Sequence, residues 1–176
     1  IVSVLERVMA GGHFSLFGPN TLPVEETGRV LSTGPAWAYL KIAEGCDNCC
    51  AFCVIPRIRG RYRSRPLENI VDEARSLAAS GVKELIVIAQ DITRYGSDLY
   101  GANSLSRLIR ALAEIDGIHW IRLHYLYPDV MDDELIDVIA SEPKVVKYLD
   151  IPIQHINDTI LKRMNRHGDG ALIRSL

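Results

Sequence analysis

The amino-acid sequence predicts an α/β fold in which helices cover a parallel sheet, and three observations lead to this prediction. From Trp37 onward, short apolar runs alternate with stretches in which apolar residues recur at helical spacing. The apolar runs follow one another at intervals of about 30 residues, which suits right-handed βαβ crossovers. With 48% hydrophobic residues in a chain of 176, the protein can bury one sizeable core.

Four βα units can be placed in order along this part of the chain. The first apolar run, 36–45, is followed by a cysteine-containing loop and then by an amphipathic helix over 65–81, with Pro66 near its start and Gly81 just beyond its end. Three further strands are predicted at 83–90, 120–128 and 147–155. Each is followed by a predicted helix, at 104–117, 132–143 and 158–166 respectively. This pattern allows either a barrel or an open doubly wound sheet. Because four parallel strands cannot close a barrel, we expect a partial sequence.

Residues 1–36 differ in composition from the rest of the chain. A short amphipathic helix is predicted over 2–10, and the stretch after it is rich in Gly, Pro and Thr. We therefore expect the tail of another domain followed by a linker, with the α/β domain occupying 37–176.

Bulk properties exclude some classes of partner. The net charge of −2 gives no global basic field that would draw the protein to nucleic acid. The sequence contains no apolar run of about 18 residues and no recognisable secretory leader, so we expect no membrane association and a cytoplasmic location.

All four cysteines lie in one loop, "EGCDNCCAFC", residues 44–53. Cys46, Cys50 and Cys53 are spaced C-x3-C-x2-C, and an overlapping triplet with Cys49 in the middle is spaced C-x2-C-x3-C. Three close thiolates on a loop after a strand can hold three irons of a [4Fe–4S] cluster and leave the fourth iron open. Alternatives are a zinc site, which needs a fourth ligand, a local disulfide, or unused thiols.

A second pattern is "RIRGRYRSR", in which Arg57, Arg59, Arg61, Arg63 and Arg65 occupy every second position. On an extended strand all five side chains would project from one face. Such a strip could meet the anionic groups of a ligand or of RNA. The alternative is a solvated loop with separate ion pairs.

The C-x3-C-x2-C spacing, with Phe52 directly before the third cysteine, resembles that of radical S-adenosylmethionine enzymes. Further stretches resemble their methylthiotransferase branch, and most closely the RimO type, which modifies an aspartate of a small-subunit ribosomal protein. These stretches are "LKIAEGCDN", "IPRIRGRYRSRPLENI", "GVKELIVIAQDITRYGSDLYG", "WIRLHYLYP" and "YLDIPIQHINDTILKRMNR". The run at 89–101 favours the RimO type over the tRNA-modifying MiaB type. A tRNA methylthiotransferase and a non-catalytic iron–sulfur or zinc module remain the alternatives.

The resemblance implies a partial TIM-like barrel with about four of six βα units. It implies that Cys46, Cys50 and Cys53 hold the [4Fe–4S] cluster, with Cys49 spare, and that the open iron binds S-adenosylmethionine. Reductive cleavage would then give a 5′-deoxyadenosyl radical that takes hydrogen from the β-carbon of the target aspartate before methylthiolation. The family also uses a second [4Fe–4S] cluster in an N-terminal domain, a C-terminal TRAM domain, and an electron donor of the flavodoxin or ferredoxin type.

The resemblance also implies that five residues besides the cysteines, one aromatic and four polar, contact S-adenosylmethionine. Phe52 is expected near the adenine, and Gln90 and Asp91 near the methionine amino group. Gln154 and His155, at the end of the fourth strand, are expected to face the ribose or adenine. For the polar residues, strand-end hydrogen bonds or helix caps are the alternative, and for Phe52 it is packing in the core.

Among the arginines, the resemblance favours Arg59, Arg63 and Arg65 as substrate or anion contacts. Tyr95, in the loop after the second strand, is expected at the mouth of the substrate site. A structural turn around Gly96 explains that loop equally well.

Overall fold

The computed structural model describes residues 1–176 apart from 14, 16, 17, 20, 22–29 and 33. Its strands are β1 Trp37–Lys41, β2 Ala43–Glu44, β3 Arg63–Ser64, β4 Glu84–Ile88, β5 Trp120–Leu123 and β6 Val145–Leu149. Its helices are α1 Val2–Met9, α2 Ile55–Arg59, α3 Leu67–Ala79, α4 Ser97–Tyr100, α5 Leu105–Ala113, α6 Asp133–Ser141, α7 Asp158–Arg163 and α8 Gly170–Ser175, with a 3₁₀ turn at Pro128–Val130.

Four strands form a parallel sheet in the order β1-β4-β5-β6. Leu40 of β1 lies beside Val87 of β4, which in turn lies beside Leu123 of β5. Each crossover therefore moves one strand further in the same direction, as in a (βα) barrel, whereas a doubly wound sheet reverses its direction. The predicted α/β architecture is confirmed, and its winding is that of a partial barrel.

The helices pack on one face of this sheet because side chains alternate along each strand. Ala38 and Leu40 of β1 are fully buried, whereas Tyr39 between them is exposed on the opposite face. The buried strand residues join the apolar sides of α3, α5 and α6 in one core. The largest fully buried side chains of that core include Ile70, Leu85, Leu108, Ile109, Leu112 and Ile121.

Two strands end earlier than the sequence patterns predicted. The run 120–128 is a strand only as far as Leu123, because Tyr125 adopts a left-handed backbone conformation with φ 65°. The run 147–155 gives β6 at Val145–Leu149, and the chain beyond it contains Pro152 and a left-handed Gln154, also at φ 65°. The apolar residues that were predicted to extend these two strands instead lie in irregular loops at the carboxyl edge of the sheet.

The N-terminal prediction is tested only in part. Helix α1 confirms the helix expected over 2–10, and none of its residues is buried. Much of the linker predicted up to residue 36 lies outside the described residues. Among the helices in the described ranges, none has both the length and the apolarity to cross a bilayer.

The prediction of a single extended arginine strip is wrong. Arg57 and Arg59 lie on α2, and Gly60, at φ 76°, turns the chain before the short strand β3 that contains Arg63. A helical turn followed by a glycine turn breaks the two-residue period, so the arginines do not share one face.

Candidate functional site

The cysteine loop begins beside a two-stranded hairpin, β2 and β3, whose connection is residues 45–62. Strands β2 and β3 pair antiparallel, with Glu44 opposite Arg63, and Gly45 follows at φ 81°. A Cβ atom at Gly45 would lie 2.1 Å from the carbonyl oxygen of Arg61, so only glycine fits. The next residue, Cys46, donates its backbone N–H to the carbonyl of Gly60 at 3.3 Å. The first cysteine is thus fixed at the base of the hairpin.

The second half of the loop is fixed by residues that follow α7. The Ala51 N–H donates to the carbonyl of Met164 at 2.9 Å, and the Asn165 side-chain amide donates to the carbonyl of Cys49, also at 2.9 Å. Within the loop, the Cys53 N–H donates to the carbonyl of Cys50 at 2.9 Å. Three hydrogen bonds therefore hold a short segment that has no strand or helix of its own.

One cavity of about 430 Å³ lies between this loop and the carboxyl ends of β4 and β5. Its walls include the side chains of Cys46, Cys50 and Cys53, together with Phe52 and Gln90. Cys49 does not line the cavity; it is exposed and has a left-handed backbone, with φ 50°. The structure therefore brings the C-x3-C-x2-C thiols to a common space and places the fourth thiol outside it.

The donors at this cavity suit an iron–sulfur cluster better than a single metal ion. Soft thiolates are the usual ligands of such clusters, which take one cysteine for each ligated iron. A structural zinc site takes four ligands, and among the described residues no His, Asp or Glu side chain joins the three cysteines in lining this cavity. Gln90 adds a second feature, since its Oε1 is buried without a hydrogen-bond partner and lies in a residue that lines the cavity. A buried acceptor of this kind fits a ligand that carries N–H donors.

Burial raises the pKa of the Cys46 thiol above its ordinary value. A hydrogen bond from the Asn48 backbone N–H acts in the opposite direction, while the charges of Asp91, Cys50 and Cys53 raise the pKa further. A thiolate crowded by other negative groups is stabilised by a cationic partner, and metal binding displaces the proton.

Asp91 and Asn48 form a buried link between β4 and the cysteine loop. The Asn48 Nδ2 donates to Asp91 Oδ2 at 2.8 Å, and its Oδ1 accepts from Arg94 Nε at 3.0 Å. Asp91 also accepts hydrogen bonds from the backbone N–H and the hydroxyl of Thr93. The Asp91 carboxylate is therefore occupied by protein donors, so of the two predicted strand-end residues only Gln90 lines the cavity.

Gln154 and His155 lie away from the cavity wall. Gln154 is exposed, and the Nδ1 of His155 accepts a hydrogen bond from the backbone N–H of Asn157 at 2.9 Å. Pro152 and Arg166 line the cavity on that side instead. The Asn157 side chain caps α7, and the hydrogen bond of His155 to Asn157 is a strand-end hydrogen bond of the kind given as the alternative for His155. Contact of either residue with a cofactor stays a prediction.

Arg65 and Tyr95 are buried side chains that join neighbouring elements. The Arg65 side chain is 7% exposed, and its Nη1 donates to the Lys41 carbonyl at 2.6 Å and to Glu73 at 2.7 Å. Tyr95 is fully buried, and its hydroxyl donates to the Arg65 carbonyl at 2.9 Å. Neither lines the cavity, so this geometry supports a role in packing.

Arg59 and Arg63 lie beside the hairpin. Arg59 Nη1 is 3.6 Å from Glu44, and Arg63 donates to the carbonyls of Arg61 and Arg59. Burial acts to raise the pKa of Glu44, but the hydrogen bond from Lys41 and the charges of Lys41 and Arg59 outweigh it and hold that pKa below its ordinary value. These arginines thus lie at the outer side of the loop, where contact with an anion stays a prediction.

Two residues at the site were missed in the sequence. Asn48 lies within the cysteine loop, where an asparagine is typical of any turn. Arg166 lines the cavity, with its Nη1 3.7 Å from the Cys50 Sγ and its guanidinium carbon 4.1 Å from the centre of the Tyr127 ring. Nothing in the local pattern around residue 166 links it to a cysteine 116 positions earlier.

Comparison with known proteins identifies the family. Residues 40–174 match the model of the radical SAM superfamily, which covers most of the chain. The chain belongs to the radical SAM superfamily. Its cofactors are accordingly S-adenosylmethionine and a [4Fe–4S] cluster, and the cavity lined by three thiols and Gln90 suits both.

Two curated relatives of this radical SAM chain carry the name "Ribosomal protein uS12 methylthiotransferase RimO". The protein of Caldanaerobacter subterraneus subsp. tengcongensis is 54% identical over 167 residues, which cover 94% of this chain and 38% of the relative. That of Geobacter sulfurreducens is 63% identical over 147 residues, covering 83% of this chain and 33% of the relative. The chain thus spans well under half the length of these relatives.

A solved structure resembles the same radical SAM fold. The methyltransferase TsrM from Kitasatospora setae, determined with tryptophan and a S-adenosylmethionine analogue, matches with a TM-score of 0.62 at 24% identity. The match covers 81% of this chain and 28% of TsrM. At this identity the likeness concerns the fold, and it agrees with the partial barrel described above.

Proposed function

We propose that this chain is the core of a methylthiotransferase that adds a methylthio group to the β-carbon of an aspartate in the small-subunit ribosomal protein uS12. The name shared by relatives at 54% and 63% identity supports the substrate. The observation that carries the chemistry is the convergence of the Cys46, Cys50 and Cys53 thiols on the cavity that Gln90 also lines.

In this proposal the three cavity-lining thiols ligate the cluster, and Cys49 stays free. When bound, the cluster and S-adenosylmethionine supply a carbon-centred radical able to take a hydrogen atom from an unactivated carbon. Gln90 Oε1, buried and without a partner, accepts from the methionine ammonium group. Phe52, which is 59% exposed at the cavity wall, offers an aromatic face for the adenine.

The proposal extends to parts of the enzyme beyond this domain. Residues 37–176 form the radical SAM core, and 1–36 form the tail of a preceding methylthiotransferase domain and a linker. That preceding domain holds a second [4Fe–4S] cluster. The electron comes from a carrier of the flavodoxin or ferredoxin type, and the reaction takes place in the cytoplasm. Arg59 and Arg63, on the outer side of the cysteine loop, contact substrate or nearby ribosomal RNA by their positive charge.

The test uses the whole protein that contains this chain, reconstituted anaerobically with iron and sulfide. We expect mass spectrometry to find a methylthio group on the aspartate of uS12 and none on tRNA when both are offered with S-adenosylmethionine and reductant. The Cys50→Ala variant is the matched inactive control. Product on tRNA alone would replace the substrate assignment. Stoichiometric zinc, with no spectral change on adding S-adenosylmethionine, would overturn the enzyme assignment altogether.

A further inference from the structure

Arg166 is a charged residue of the cavity that the proposed reaction does not use. It follows α7, and its backbone N–H donates to the carbonyl of Leu161 at 2.9 Å, which fixes the main chain at this point. Its guanidinium lies over the Tyr127 ring, and Nη2 donates to the Pro152 carbonyl at 2.5 Å. With these two contacts holding the planar group, Nη1 points at the Cys50 Sγ, 3.7 Å away.

We propose that Arg166 is a positioning residue that hydrogen-bonds the Cys50 thiolate and raises the reduction potential of the cluster held there. This inference rests on the cluster assignment of the radical SAM family and does not depend on the methylthio substrate.

The physical reason is electrostatic. Adding one electron to the cluster increases its negative charge, and a cationic donor on a ligating sulfur stabilises the reduced state more than the oxidised state. Hydrogen bonds to charged groups are stronger than those between neutral groups, and burial makes them stronger still. Arg166 is partly buried and fixed by the Tyr127 ring and the Pro152 carbonyl, so little side-chain entropy is lost when it bonds sulfur.

Two neighbouring positions distinguish an effect of Arg166 on the cluster from support of the cysteine loop. Arg163 carries the same charge three residues earlier but is exposed and outside the cavity. Asn165 donates to the backbone carbonyl of Cys49 and not to a sulfur, and its φ of 51° makes glycine a suitable replacement. Arg163→Gln therefore controls for charge, and Asn165→Gly controls for support of the loop.

The experiment is a redox titration of the whole reconstituted protein, followed by the electron paramagnetic resonance signal that S-adenosylmethionine perturbs. For Arg166→Gln we expect the reduced-to-oxidised ratio at a fixed potential to fall about tenfold, which a one-electron couple shows as a shift of about 59 mV to more negative potential. Arg166→Lys keeps the charge and should recover part of the shift. Arg163→Gln and Asn165→Gly should keep the wild-type potential, even if Asn165→Gly retains less iron.

A wild-type potential in Arg166→Gln would overturn the proposal, as would an equal shift in Arg163→Gln. Should Arg166→Gln take up too little iron for titration, Arg166→Lys decides. A lysine ammonium keeps the charge but cannot bond both the Pro152 carbonyl and the Cys50 sulfur with the geometry of the guanidinium fork. A smaller shift to more negative potential in Arg166→Lys supports the proposed hydrogen bond to Cys50, and an unchanged potential refutes it. Loss of uS12 methylthiolation with an unchanged potential would also count against it.

Discussion

Replacement of Gly45 by alanine tests how the hairpin positions the first cysteine. The added Cβ would lie 2.1 Å from the Arg61 carbonyl oxygen and 2.7 Å from the Gly60 carbonyl oxygen, and both obstacles are backbone atoms that cannot rotate away. Relief requires the hairpin to open, which breaks the hydrogen bond from Cys46 N–H to Gly60 and weakens the pairing of Glu44 with Arg63.

The expected loss follows from two contributions. A non-glycine residue at the left-handed φ of 81° costs roughly 1–2 kcal/mol. Two weakened backbone hydrogen bonds add about 1 kcal/mol each. We therefore expect Gly45→Ala to lower the free energy of unfolding by about 3–4 kcal/mol and to reduce the iron retained after reconstitution.

Gly81 is the matched control. It also has a positive φ, 100°, but an added Cβ would meet no heavy atom within 4 Å. Gly81→Ala should cost only the backbone strain of roughly 1–2 kcal/mol and leave iron content unchanged. Unfolding in urea can be followed in the whole protein by protease cleavage within residues 37–176, read by mass spectrometry. Equal destabilisation and equal iron content in the two variants would refute the steric reasoning.

Three further predictions concern side chains of the site. Cys49→Ala should keep the iron content of wild type, whereas Cys50→Ala should lose the cluster. Iron analysis after reconstitution checks this. The reverse result would select the C-x2-C-x3-C spacing that includes Cys49. Asn48→Ala removes the buried hydrogen-bond donor of Asp91 and should lower the free energy of unfolding in urea by about 2–3 kcal/mol, because a buried charged acceptor loses a donor. An unchanged free energy of unfolding would mean that water replaces the amide. Tyr95→Phe should cost about 1 kcal/mol, through its bond to the Arg65 carbonyl, with uS12 methylthiolation retained; loss of turnover at unchanged stability would restore Tyr95 as a substrate contact.

Helices and strands were predictable where the spacing of apolar residues along the sequence matches the side of the element that packs in the core. Alternation along Trp37–Lys41 and the helical spacing over Leu67–Ala79 both place apolar residues in the core, so local propensity and tertiary packing agree. The strand ends were not predictable, because the left-handed conformations of Tyr125 and Gln154 occur in residues that carry no glycine-like signal. The arginine strip failed for a related reason: a period of two was interrupted by α2, whose Pro56 favours a helical first turn.

In the candidate site, too, some residues were predictable from local sequence and others were not. The cysteine spacing is local, and the structure brings the three selected thiols to one cavity. Gln90 also lies at that cavity, as expected for the end of a parallel strand. The roles of Asp91 and Arg65 depend on partners that the sequence does not place near them, namely Asn48 for Asp91 and Glu73 for Arg65. Burial with a specific ion pair or amide is a tertiary property, and local pattern does not contain it.

The attachment of the cysteine loop to the segment after α7 sets an order of events during synthesis. The loop carbonyl of Cys49 and the Cys50 sulfur find their partners, Asn165 and Arg166, 116 residues later. A nascent chain that has emerged only as far as β5 already contains all four cysteines but neither Asn165 nor Arg166. The thiols are then in an unsupported loop, open to oxidation or to the wrong metal. Cluster insertion thus favours a chain translated past residue 166, so metal delivery is matched to the appearance of the segment after α7 and not to the appearance of the cysteine ligands.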